Sequence, residues 1–291
     1  TYTTSGTYTN SISNPSAPTL SGTYNTLDYA RDVSVNGNYA YVADGNSGLQ
    51  IIDISNPSAP TLSGTYDTPF YADGVSVNGN YAYVADRSSG LQIIDISNPS
   101  NPTLTGTYDT PGYAFDVTVN GNYAYVADYY SLQIIDISNP SAPTLSGTYN
   151  TPDDARDVSV NGNYAYVADY SSGLQIIDIS NPSNPTLSGT YDTPGEAYGV
   201  SVNGNYAYVG DGYSGLQIID IATNCTLDSL ILSIDICGCT DPLASNYDPS
   251  ANTDDGSCIY CDISFNPPIY QSNTSNTACD GLIIVSASSS N

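Results

Sequence analysis

The sequence predicts an all-β fold: a five-bladed β-propeller of four-stranded repeats about 42 residues long, followed by a small disulfide-rich C-terminal module. Three observations predict it. VNGNYAYVAD (35–44) returns at 77–86, 119–128 and 160–169, and with one change at 202–211. Each copy lies among four short stretches rich in Tyr, Val, Ile and Thr, the residues strands favour. All six cysteines fall after residue 224.

The repeat starts at Val35, Val77, Val119, Val160 and Val202, at spacings of 42, 42, 41 and 42. In the first copy the strand-like stretches are DVSV (32–35), YAYVA (39–43), LQIIDI (49–54) and TLSGTY (61–66). Asn36-Gly37 between the first two predicts a hairpin, read as a type I′ turn with positive φ at both central residues. SNPSAP (55–60) joins the last two; its prolines stop pairing and exclude a helix. LQIIDI is apolar on both faces, as in a sheet covered on both sides by its neighbours. A stacked solenoid is the rival architecture, but its coils are shorter and poorer in antiparallel turn signals.

LQIIDISNP at 49–57, 91–99, 132–140 and 174–182 resembles the strand and Ser-Asn-Pro turn of the LVIVD repeat family. The resemblance covers roughly residues 12–224 and implies a propeller in a bacterial or archaeal extracellular or surface protein. It implies no catalytic motif. The fifth copy, LQIIDIATN (216–224), lacks the proline and marks the end of the array. The expected organisation is an N-terminal arm (1–17) able to exchange a strand, a propeller (18–224), and an acidic disulfide-bonded module with its tail (225–291).

Strand counting leaves a mismatch. TLSGTY at 19–24 precedes the first complete set of inner strands, and the fifth set has no TLSGTY of its own. Residues 19–24 either close the last blade or, if CTLDSLILSID (225–235) fills it, remain free to pair with another chain.

The copies also show where variation is allowed. NGN and SNPSAP barely change. The loops leading into the first strand (27–31, 69–73, 111–115, 152–156, 194–199) and those after YVAD (45–48, 87–90, 129–131, 170–173, 212–215) differ from copy to copy. In an up-down blade the two constant turns share one face and the two variable loops share the other. Arg31, Arg87 and Arg156, the only basic side chains, fall in variable loops with Tyr129, Tyr130 and Glu196, the only glutamate. These six residues are the candidate interaction face, because variable loops on a rigid scaffold carry function. An acidic body with its arginines on one face also suits head-to-tail association.

Twenty-nine acidic residues against three basic ones give a formal charge of −26 over 291 residues. Such a charge repels phosphate backbones and anionic bilayers, which excludes nucleic acid as a partner. No apolar run is long enough to span a membrane. The Thr1-Tyr2-Thr3 start and the lack of methionine lead us to expect a processed, secreted product.

Cys225, Cys237, Cys239, Cys258, Cys261 and Cys279 read as disulfides of an oxidising compartment; zinc at Cys237/Cys239 and Cys258/Cys261 is the alternative. CGCTDPLASNYDPSANTDDGSC (237–258) resembles a cysteine/aspartate segment of secreted bacterial surface proteins. That resemblance implies a Cys239–Cys258 pair and a calcium-holding loop. Asp241, Asp248, Asn252, Asp254 and Asp255 are oxygen ligands of the type calcium takes, although their spacing departs from an EF-hand. Asx turns account for the same residues equally well. Asn224, Ser229 and Asn273 sit in glycosylation-like motifs.

The chain has no histidine, so the usual neutral-pH proton carrier is missing. The aspartates at 44, 86, 128, 169 and 211 repeat, as do those at 53, 95, 136, 178 and 220, which points to structural roles. Asp153, Asp154 and Glu196 are the non-repeated carboxylates expected near one face, and a glycosidase is the least favoured reading. The leading expectation is a secreted, non-enzymatic structural or adhesive protein that assembles with itself. A glycan- or protein-binding module is the alternative.

Overall fold

The computed structural model describes residues 17–222. Blade 1 contains β1 (Asp32–Asn36), β2 (Tyr39–Ala43), β3 (Leu49–Asp53) and β4 (Thr61–Tyr66). Blade 2 contains β5 (Gly74–Asn78), β6 (Tyr81–Ala85), β7 (Leu91–Asp95) and β8 (Thr103–Tyr108). Blade 3 contains β9 (Ala114–Asn120), β10 (Tyr123–Asp136) and β11 (Thr144–Ala155). Blade 4 contains β12 (Asp157–Asn161), β13 (Tyr164–Ala168), β14 (Leu174–Asp178) and β15 (Thr186–Tyr191). Blade 5 contains β16 (Gly199–Asn203), β17 (Tyr206–Gly210) and β18 (Leu216–Asp220). Each sheet is antiparallel with sequence neighbours paired. The four stretches expected from the repeat are the four strands of blade 1. In blade 3 the shortened YYS connection lets the second and third strands run as the single element β10.

The hairpin turn differs from the expectation. Asn36 pairs with Tyr39, so the two-residue loop is Gly37-Asn38, one residue further on. Gly37 has φ +60, and neither asparagine has positive φ. Positive φ at the first central residue alone is the type II′ pattern, which places glycine there and leaves the second position free.

Burial follows the repeat. Tyr41, Ala43, Leu49 and Ile51 of blade 1 pack against Ala72, Val75, Val84 and Ile94 of blade 2. Equivalent residues build the three following interfaces. The third strand is covered on both faces: Leu49, Gln50 and Ile51 are all buried. Gln50 is tolerated there because its Nε2 donates to the Ser47 carbonyl at 2.7 Å.

The row of blades does not close among the described residues. The outward face of blade 5 leaves Leu216 63% and Ile218 60% exposed, whereas Leu91 and Ile93 of blade 2 are fully buried. The opposite face of blade 1 leaves Val33 57% exposed, whereas its counterpart Val75 is 4% exposed. A cleft of about 340 Å³ opens there, lined by Val33, Ala40, Val42, Ile52 and Ile54. Blade 5 has three strands and, among the described residues, no outer one. Residues 19–24 are not paired with β18. Instead they lie against blade 1 as the outer strand of a preceding blade would. A Cβ on Gly22 would collide with the Pro57 carbonyl, just as one on Gly64 would collide with that of Pro99 and one on Gly106 with that of Pro140. Residues 225–235, the cysteines and the candidate calcium and glycosylation sites lie outside the described residues.

Candidate functional site: the loop face

The fold brings the variable loops of neighbouring blades together by a recurring contact. The residue after each buried loop aspartate pairs with an alanine in the next blade's approach loop. Gly45 pairs with Ala72, Arg87 with Ala114, Tyr129 with Ala155 and Tyr170 with Ala197. Those four alanines are fully buried. The residues on either side of each alanine, and its bridging partner, therefore face the same surface from adjacent blades.

A continuous belt of arginines and aromatic rings results. The Arg31 Nη2 donates to the Tyr71 hydroxyl at 3.1 Å, and its guanidinium carbon lies 5.1 Å from that ring's centre. Arg87 stacks over the same ring at 4.5 Å and reaches Phe115 at 5.7 Å. Arg156 covers the other part of the belt, 4.6 Å from Phe115, 5.2 Å from Tyr170 and 5.7 Å from Tyr129. Tyr129 meets Tyr130 edge-on at 4.6 Å and Tyr113 at 6.0 Å. Tyr170 meets Tyr198 at 5.5 Å, and the Tyr198 hydroxyl donates to Glu196 at 2.7 Å. Edge-on pairs and stacked guanidiniums each add of order 1 kcal/mol beyond area burial. All six residues expected from the sequence, Arg31, Arg87, Tyr129, Tyr130, Arg156 and Glu196, belong to this one belt.

Its charges are internally compensated. Asp73, whose side chain is nearly buried, takes the Arg87 Nε at 2.5 Å and lies 3.7 Å from the Arg31 Nε. Arg156 pairs with Asp154 at 2.5 Å. The hydroxyls of Tyr170 and Tyr198 hold the Glu196 carboxyl below its ordinary value, so it is ionised at neutral pH. The same contact pushes the Tyr170 hydroxyl up. Head-to-tail association through these arginines would need them free for an acidic partner. They are instead paired with carboxylates and stacked on rings, which leaves an aromatic and polar face.

Beneath the belt, the first inner strands carry carboxylates that the repeat pattern does not single out. The Asp32 carboxylate accepts the Val75 N–H at 2.8 Å, Asp116 accepts Val158 at 3.1 Å, and Asp157 accepts Val200 at 2.6 Å. Each bond ties one blade to a later one. At the equivalent place in blade 2, a Cβ on Gly74 would lie 2.7 Å from the Asp116 Cα, so glycine makes room for that aspartate. Burial, together with the Asp157 and Asp32 carboxylates, pushes Asp116 well up, and it shares a hydrogen bond with Asp157. Asp153, Asp154 and Glu196 are thus not the only carboxylates on this side that differ between copies: Asp73 stands in blade 2, and Asp32, Asp116 and Asp157 share one strand position in blades 1, 3 and 4.

The repeated aspartates have structural partners. Asp86, fully buried, accepts the Phe70 N–H at 2.9 Å and so pins the approach loop of its own blade. Asp44, Asp128, Asp169 and Asp211 do the same for Leu27, Gly112, Asp153 and Gly195. Asp53, Asp95, Asp136 and Asp178 each accept the N–H two residues on, at 2.8 Å, in Asx turns.

Solved structures share the architecture at low identity. The WD40 β-propeller domain of Doa1 is 10% identical with a TM-score of 0.57, over 70% of this chain and 69% of that one. A functionally unknown protein from Desulfotomaculum acetoxidans is 18% identical with a TM-score of 0.56, over 68% and 70% of the two chains. The computationally designed Ika8 protein is 8% identical with a TM-score of 0.56, over 67% of this chain and 59% of its own. At these identities the likeness is one of fold. Two curated proteins match only a 23-residue stretch: ribulose bisphosphate carboxylase/oxygenase activase 1 of Larrea tridentata at 74% identity, and the activase of Oryza sativa subsp. japonica at 70%. The match spans 8% of this chain and 5% of those relatives. The LVIVD repeat itself matches residues 11–26, 28–68, 71–110, 111–151, 152–193 and 194–235. With its blades in this arrangement and six matches along most of its length, the chain belongs to the LVIVD repeat family.

Proposed function

We propose that this is a secreted or cell-surface structural protein, adhesive and non-enzymatic, that assembles with copies of itself into an extracellular filament or layer. One observation supports the reading: at the two ends of the blade row, positions that internal junctions bury are exposed. Blade 5 exposes Leu216 and Ile218, the positions that insert at every internal junction. Blade 1 exposes Val33 and a cleft lined by the counterparts of the residues that receive those positions at an internal junction. Exposed contiguous apolar surface of this kind marks an association site. A heterologous contact of this type grows into rings or filaments. The acidic body makes nucleic acid and bilayer insertion poor partners. Light scattering and electron microscopy over a concentration series test the proposal. Assemblies should form with the unmodified chain and be lost in Leu216→Asp and in Val33→Asp. A chain that stays monomeric at high concentration, with and without calcium, contradicts it.

A second reading concerns the loop face. With all three arginines paired, what this face offers is ring edges and hydroxyls: Tyr113, Tyr130 and Tyr198 are each about half exposed or more. Such a face suits a neutral glycan or a protein loop. A glycan array tests it; a hit that persists in the Tyr129→Ala/Tyr130→Ala double variant is not bound here. Glycoside hydrolysis needs a carboxylic acid whose pKa is raised. Glu196, a candidate named for it, is shifted the other way; Asp116 is pushed up, but its carboxyl is engaged by Asp157 and the Val158 N–H. Turnover lost in Asp154→Asn or Glu196→Gln would restore that reading.

A further inference from the structure

We propose that residues 19–24 are a donor strand that completes the fifth blade of a second copy; this rests on the assembly reading and names the contact. Four observations support it. First, Thr19–Tyr24 is TLSGTY, letter for letter the outer strand β4, and β18 is LQIID, letter for letter the third strand β3. Second, Gly22 is already seated on the Pro57 carbonyl of blade 1, the place an outer strand of a preceding blade takes. Third, this seated segment makes no backbone hydrogen bond to any described residue. Fourth, β18 pairs only with β17, which leaves its other edge open among the described residues.

An open edge and a loose strand of matching sequence are the two components of strand addition. In the structure they lie at opposite ends of one blade row and are unpaired among the described residues, so a second copy is the fitting partner. Copying the β3–β4 register sets Leu216 opposite Tyr24, Gln217 opposite Thr23, Ile218 opposite Gly22 and Asp220 opposite Thr19. The donated strand then brings the acceptor's blade 5 against the donor's blade 1, so Leu216 and Ile218 fill the cleft beside Val33, Val42 and Ile52.

The Gln217–Thr23 pair gives the test. In blade 3 the equivalent side chains meet: the Thr148 Oγ1 donates to the Gln133 Oε1 at 3.0 Å. Directly opposed residues of an antiparallel pair lie at a Cα separation of about 4.5–5.5 Å, which a disulfide spans. One full-length chain carries Thr23→Cys, a second carries Gln217→Cys, and a third carries both. After oxidation, peptide mass mapping locates the new link among the native cysteines. The expected result is a disulfide joining position 23 of one singly substituted chain to position 217 of the other when the two are mixed, lost on dilution below the assembly concentration before oxidation. A link formed only within single copies of the doubly substituted chain overturns the proposal in favour of self-closure. Assemblies that form without the link overturn the donor strand and leave self-assembly standing. The absence of any assembly overturns both.

Discussion

Blade 2 and blade 5 carry almost the same letters and live in different surroundings. YAYVA and LQIID of blade 2 are almost entirely buried. YAYVG and LQIID of blade 5 are half in solvent. Leu91 is fully buried and Leu216, the same letter in the same strand position, is 63% exposed. The difference teaches that the sequence of a blade specifies an interface, and that burial depends on whether a neighbour is present. Interior blades fulfil this specification inside one chain. The end blades leave it open among the described residues.

The largest expected contrast is between the two leucines. Leu91→Ala should cost about 2–5 kcal/mol in chemical denaturation, because it leaves a cavity between two blades. Leu216→Ala should change the unfolding free energy of the dilute chain by roughly 0.5 kcal/mol or less. Equal costs would mean that blade 5 is covered in solution. The glycines sharpen the same contrast. A Cβ on Gly106 would collide with the Pro140 carbonyl, so Gly106→Ala should cost about 1–3 kcal/mol as two blades are forced apart. On Gly189 the nearest described atom is 4.0 Å away, so Gly189→Ala should be neutral within about 0.5 kcal/mol.

Acidity gives a third handle, in the three interior blades. Burial pushes Asp169 up to about 6, from 3.8 in a free chain. The native state therefore binds more protons than the unfolded state between those two values. This contribution is fully present below about pH 4 and is lost as pH rises through 6. Asp86 and Asp128 shift in the same direction for the same reason. Stability should fall by roughly 1–3 kcal/mol between pH 4 and pH 7, and Asp169→Asn should flatten the curve in melting experiments. The smallest effect concerns the ends. At −26 per chain, copies repel one another, and salt shortens that repulsion from about 10 Å at 0.1 M to about 3 Å at 1 M. Assembly measured by light scattering should rise with salt, while the monomer's melting temperature moves little.

Much of this is legible in the sequence because the chain compares itself with itself. The four strands of blade 1 fall at the expected residues, since alternating strand-formers and proline or glycine breaks are local signals. The turn does not: Asn-Gly fits two hairpin registers, and the pairing of Asn36 with Tyr39 selects the one with glycine first. The loop face is found through variation, which singles out Arg31, Arg87, Arg156 and Glu196. Its other half lies in the same variable loops but lacks the rare charges that single out the arginines and the glutamate. Tyr71, Asp73, Phe115 and Tyr170 complete the belt from distant stretches of chain; Arg87 and Asp73 are 14 residues apart, and Arg31 and Tyr71 are 40 apart. The available clue is the alanine common to all the approach loops, whose following residue changes among Arg, Asp, Phe and Tyr. Asp32, Asp116 and Asp157 stay hidden because DVSV and GVSV read equally well as strands, and their inter-blade partners carry no sequence mark.

The residue after each pinned aspartate holds a left-handed backbone, φ +56 at Gly45 and +51 at Gly212, but also +41 at Arg87, +54 at Tyr129 and +43 at Tyr170. Bulky side chains avoid that region, at a cost of order 1–3 kcal/mol. Glycine stands at this address in the two terminal blades and a large side chain in the three central ones. Where another blade follows, the address is held by backbone pairing to that blade's alanine, with hydrogen bonds of 3.0 and 3.1 Å at Arg87 and the same pair of bonds at Gly45, so glycine and arginine are held alike. It therefore works as a socket of fixed geometry with an exchangeable plug. A library restricted to residues 129 and 170 would vary the loop face while leaving the frame intact, and Tyr170→Gly should return stability to the frame, whereas Arg87→Gly should not, because it removes the nearest partner of the nearly buried Asp73.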